Sequence, residues 1–145
     1  MKIRKAEATD SQGLEDCMQQ AYAAYLDRMQ GKHLPPMDVD YSHEIKQYPV
    51  WVLETEGQVV GGIILMCEAT YLSIANLSVH PCVQGRGFGR ELIKFAESKA
   101  IELGYLEVRL ATHVLLTENI SLYRHLGWLE YDRDDMRVYM KKIIM

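Results

Sequence analysis

At 145 residues the chain suits a single domain, able to bury about 68% of its unfolded surface. With 48% hydrophobic and 25% charged residues it reads as globular, and a formal charge of -4 without Lys/Arg clusters argues against a nucleic-acid partner. Cys17, Cys67 and Cys82 have neither zinc spacing nor a disulfide framework, which points to a reducing compartment.

In chain order, Ile3 to Ala6 reads as a first strand. Thr9 followed by Gln12 has the pattern of a capping box, and the stretch after it repeats Leu14, Met18, Ala21, Tyr22 and Tyr25 at helical spacing. Gly31, Pro35 and Pro36 break the pattern, and "VDYSHEIKQ" is a short second helix. "VWVLET" and "QVVGGIILMC" predict a hairpin around Glu56-Gly57 whose turn type stays open. A third central strand runs from Tyr71 to Val79. Helix follows from about Gly87 to Leu103, with Phe88, Leu92, Phe95, Ala96, Ala100 and Leu103 as its apolar stripe and Gly104 as its stop. "YLEVRLA" alternates, with Leu106, Val108 and Leu110 on one face. Thr117 to Leu126 is a short helix capped by Thr117 and ended by Gly127, and two strands flank Asp134-Asp135. This order predicts an α/β (α+β) fold with a mixed sheet of six to seven strands and flanking helices. The strand–helix–strand unit from Tyr71 to Ala111 is a parallel crossover.

"MKIRKAEATD" lacks the apolar run of a signal peptide, and no stretch approaches the roughly 18 apolar residues of a membrane span. A cytoplasmic protein without a membrane partner is expected. His33, His43, His80, His113 and His125 form no ligand spacing, so no metal is expected.

The chemistry concentrates in "VHPCVQGRGFGREL", Val79 to Leu92. A helix start leaves about four N–H groups without intrahelical partners, and the helix dipole adds positive charge there. Glycines let a ligand approach the backbone closely, and Arg86 and Arg90 flank them, so the loop suits a diphosphate. The bland alternative is a glycine-rich turn needed only for tight packing. The Lys and Ser/Thr of the nucleoside-triphosphate loop are missing, and the spacing GxGxG is not the GxGxxG of dinucleotide folds.

Gln84-Gly85-Arg86-Gly87-Phe88-Gly89 fits the pattern Q/R-x-x-G-x-G/A, "LSVHP" precedes it, and "TENISLYRHLGW" carries Asn119, Tyr123 and Gly127. On these motifs the chain resembles the GNAT N-acetyltransferase superfamily. The resemblance implies the acyl-CoA N-acyltransferase fold over residues 1–145, acetyl-CoA as cofactor, and acetyl transfer to a primary amine by direct attack on the thioester. It implies that the pantetheine arm pairs with backbone around Leu77, Ser78 and Val79. The pyrophosphate would rest on the amides of Gln84, Gly85, Arg86, Gly87, Phe88 and Gly89 beside Arg90, with Asn119 near the cofactor and Tyr123 facing the thioester.

On the same resemblance Tyr123 is the general acid for the leaving thiolate, and an amide near Leu77 polarises the thioester carbonyl. Many relatives place a glutamate on the strand before the loop, where this chain has Ala75 and Asn76. Glu68 and His113 are the alternative bases, a deprotonated amine would need none, and His80 is structural. Asp38, Asp40 and Glu44 make the substrate side acidic, which suits a cationic small-molecule or peptide amine. A homodimer is the other expected partner. A non-catalytic acyl-CoA sensor or interaction module of the same fold is the alternative function.

Overall fold

The structure, a computed structural model, describes residues 1–23, 25–26 and 39–144. Among them lie strands β1 (Lys2–Lys5), β2 (Val50–Thr55), β3 (Gln58–Cys67), β4 (Leu72–Val79), β5 (Glu107–His113), β6 (Leu129–Arg133) and β7 (Arg137–Ile143). The helices are α1 (Ser11–Ala23), α2 (Tyr41–Gln47), α3 (Phe88–Glu102) and α4 (Thr117–His125). The strands form one mixed sheet in the order β1-β2-β3-β4-β5-β7-β6. The chain makes two compact units, Met1–Leu65 with Asn76–Lys94, and Met66–Ala75 with Phe95–Met145. No described helix is long and apolar enough to cross a membrane.

In the first unit β1, β2 and β3 pair antiparallel. Thr55 pairs with Gln58 across a two-residue turn in which Glu56 (φ 52) and Gly57 (φ 77) both have positive φ. That is the primed geometry whose twist matches the strands, and it settles the turn type. Leu14 and Met18 of α1 and Tyr41 of α2 pack with Val50, Val52 and Ile64 in the core. The Thr9–Gln12 capping box does not form. Instead a 3₁₀ turn, Ala8–Asp10, leads into α1, and the Asp10 carboxylate accepts the Glu7 N–H at 2.7 Å. Arg4 grips both oxygens of Asp10 (2.8 and 3.0 Å), holding its pKa below the ordinary range and fixing it as the anchor that Thr9 was expected to be. Gln12 turns to Asp16 instead.

In the second unit β4 pairs in parallel with β5 over Leu72–Ile74 and Val108–Leu110, as the crossover required. β7 pairs antiparallel with both β5 and β6. Two expected core positions fail: Leu103 and Leu106 are 55% and 60% exposed. α3 closes at Gly104 (φ 86) through Gly104 N–H to the Ile101 carbonyl and Tyr105 N–H to the Ala100 carbonyl. Leu103 is therefore the residue at which the helix turns away. Leu106 precedes β5, so the strand's alternation begins inward only at Val108.

Candidate active site

The first unit carries the glycine loop. After β4, His80 accepts the Cys82 N–H on Nδ1 (3.1 Å) and caps a 3₁₀ turn begun by Pro81, a structural role. Gln84 reaches back with its carboxamide to the Val79 carbonyl at 3.2 Å, tying the loop to the strand end. Gly85 (φ 86) and Gly87 (φ 81) follow in left-handed conformations, and a Cβ on either would meet nothing within 4 Å. Tight packing is thus not what these glycines serve; the backbone conformation is. The first turn of α3 is bonded from Glu91 N–H to the Gly87 carbonyl (3.1 Å). Helix geometry leaves the N–H groups of Phe88, Gly89 and Arg90 without intrahelical acceptors. Arg86 and Arg90 are exposed beside them. The result is a positive, donor-rich rim suited to an anion.

Within β4, Ser78 is buried while Leu77 and Val79 are half-buried. The Leu77 carbonyl accepts from the Tyr22 hydroxyl of α1 (3.1 Å), as the Val79 carbonyl accepts from Gln84. Both carbonyls meet side-chain donors. Tyr22 read in the sequence only as part of a helical stripe; no local signal places its hydroxyl on a strand 55 residues away. The sequence likewise marks Asn76 only as a position without an acid. It is 8% exposed and donates its Nδ2 to the Tyr41 hydroxyl at 3.1 Å. Asp40 caps α2, accepting from the Ser42 hydroxyl (2.6 Å) and the Ser42 and His43 amides (3.1 and 3.3 Å). Its charge is committed to its own helix, and Asp38 lies outside the described residues.

The second unit carries Glu68, His113, Asn119 and Tyr123. α4 begins after Leu116, so Thr117 is its first residue and not its cap. Leu116 is 3% exposed, and its carbonyl receives Asn119 and Ile120 N–H, so the buried leucine sets the start. The helix ends in a Schellman motif: Gly127 (φ 95) bonds the Arg124 carbonyl (3.0 Å) and Trp128 N–H bonds the Tyr123 carbonyl (2.9 Å). The motif's apolar contact is Tyr123 with Trp128, ring centroids 6.0 Å apart, and both are buried. One turn of sequence, Tyr123 to Trp128, therefore fixes the tyrosine from its backbone and its ring. Asn119 is half-buried on the same helix. His113 accepts the Leu115 N–H on Nδ1 (3.1 Å), which puts the proton of a neutral ring on Nε2. Glu68 is exposed just past β3; its N–H bonds the Tyr71 carbonyl (3.0 Å) and its carbonyl accepts from the Tyr105 hydroxyl (2.8 Å).

A mixed seven-stranded sheet with a glycine-rich loop between β4 and α3 defines the class: the chain belongs to the GNAT acetyltransferase family. The family model described as an acetyltransferase (GNAT) domain matches residues 46–130. An uncharacterized N-acetyltransferase of Escherichia coli K12, YjgM, is 28% identical over 138 residues, covering 90% of this chain and 83% of that protein. PaiA N-acetyltransferase from Thermoplasma acidophilum, solved in complex with coenzyme A, superposes with a TM-score of 0.86 at 20% identity, covering 98% of each chain. A GNAT-family acetyltransferase from Listeria monocytogenes gives 0.79 at 20% identity, covering 98% of this chain and 94% of that one.

Proposed function

We propose that the protein is an acetyl-CoA-dependent N-acetyltransferase acting, as one catalytic domain, on a primary amine. The observation that carries the reading is the loop at Gly85 and Gly87: two left-handed glycines with open space at their Cβ positions, directly before the amides at the start of α3. The similarity to a fold solved with coenzyme A supports the choice of anion. The amides from Gln84 to Gly89, with Arg86 and Arg90, would hold the pyrophosphate. The backbone of Leu77, Ser78 and Val79 would take the pantetheine arm, and Asn119 would approach the cofactor. Acetyl-CoA supplies the activated thioester.

The remaining chemistry belongs to side chains. Tyr123 donates its hydroxyl proton to the departing sulfur, and its fixed ring supports that role. Glu68 is assigned as base ahead of His113, because protonating His113 at Nδ1 breaks its bond from the Leu115 amide. An amine panel followed by thiol release, with calorimetric titration of coenzyme A, tests the reading. Tyr123→Phe should lower kcat by about 10²-fold, well beyond any change in coenzyme A affinity. Absence of coenzyme A binding refutes the reading, and binding without thiol release on any amine favours the sensor instead.

A further inference from the structure

The pairing of β4 with β5 runs over Leu72–Ile74, and β4 itself continues to Val79. Successive residues of a strand turn their backbone groups to opposite edges. His80 gives its N–H to the Val60 carbonyl of β3 (2.7 Å), so Leu77 and Val79 turn theirs to the edge away from β3. Two side chains reach that edge. Gln84 donates to the Val79 carbonyl from only five residues away, as part of the loop. Tyr22 donates to the Leu77 carbonyl (3.1 Å) from the last turn of α1, 55 residues away. Its ring is half-buried and packs against the core of Leu14, Met18 and Tyr41, so the hydroxyl is held from behind.

In an extended residue the N–H and the C=O leave the same edge, and twisting the residue moves both. A bond that holds the Leu77 carbonyl therefore also holds the direction of the Leu77 N–H. Direction matters, because a donor stabilises a developing oxyanion only when aimed at it, and hydrogen bonds weaken steeply off line. We propose that Tyr22 is a positioning residue for the transfer: through the Leu77 carbonyl it aims the Leu77 N–H at the thioester oxygen. The inference rests on the acetyl-transfer reading and adds to it a residue outside the loop and α4. Tyr22 touches no reacting atom. A carbonyl has two lone pairs, so the bond from Tyr22 leaves one for the carrier.

Tyr22→Phe keeps the packed ring and deletes the bond. It should lower kcat about tenfold, less than the roughly 10²–10³-fold of losing an oxyanion donor outright, while the dissociation constant of coenzyme A, which has no acyl oxygen, stays within about twofold. Thermal melts confirm folding. The Leu77 amide itself gives the signal that a merely structural role would not move. In the wild type its proton resonance should lie further downfield with the acetonyl analogue of acetyl-CoA, whose ketone offers the oxygen but cannot transfer, than with coenzyme A. Tyr22→Phe should shrink that difference. An unchanged kcat in the folded variant, or a coenzyme A affinity that falls as far as kcat, overturns the inference and leaves acetyl transfer standing. A Leu77 difference equal in wild type and variant, or absent from both, overturns it whether or not any amine is turned over. If coenzyme A does not bind at all, the acetyl-transfer reading falls and takes the inference with it.

Discussion

Gly87→Ala isolates what the loop conformation is for. Gly87 has φ 81, and a Cβ there meets nothing within 4 Å, so the substitution adds no clash and only the strain of a left-handed alanine. That strain is about 1–2 kcal/mol. Alanine relieves that strain in the free protein by letting the exposed loop leave the left-handed region, the loop must be brought back to grip a diphosphate, and the dissociation constant for coenzyme A should rise about 5- to 30-fold. Asn tolerates the left-handed region better, so Gly87→Asn should lose less. Gly104→Ala is the matched control: φ 86, equally open, but at the far end of α3. It carries the same strain into global stability and should leave coenzyme A affinity alone. Calorimetric titration of the variants, with thermal melts to confirm folding, reads all three. An unchanged affinity in folded Gly87→Ala refutes the argument that these amides hold the phosphates.

Three further outcomes follow from the geometry. Asp10 has a pKa lowered chiefly by its hydrogen bond from Arg4. Its stabilisation is therefore complete above the unfolded value of about 3.9 and lost as pH falls through the lower folded value. Asp10→Asn should cost about 1–3 kcal/mol near neutral pH and shrink the acid-side loss in urea unfolding; an unchanged acid limb would dismiss the pair as a stabiliser. A Cβ at Gly61 would stand 2.8 Å from the Ser78 carbonyl of β4, an atom of backbone that cannot swing aside. Gly61→Ala should then cost about 1–3 kcal/mol, and a melting temperature equal to wild type would show the strands can part freely. Gln84→Ala cuts the tie to the Val79 carbonyl and should raise the KM for acetyl-CoA severalfold, measured by thiol release; an unchanged KM would mean the loop holds without it.

Much of this protein is written in short stretches of chain. The element order, the Gly104 and Gly127 stops and the glycine loop follow from periodicity and turn chemistry, which depend on near neighbours. The local rules erred where packing outside the helix intervened: Arg4 of β1 holds Asp10, which anchors the start in place of Thr9, and buried Leu116 stands at the cap expected of Thr117. The proposed site divides along the same line. Gly85, Gly87, Asn119 and Tyr123 could be named from motifs, and the Tyr123–Trp128 contact is a local consequence of the Schellman turn.

Tertiary structure alone brought Tyr22 to the Leu77 carbonyl and Tyr41 to Asn76, partners 55 and 35 residues apart. No pattern along the chain encodes which carbonyl of a strand receives a side chain. That follows from strand order and register, and register is decided by which apolar faces, far apart in sequence, must be buried together.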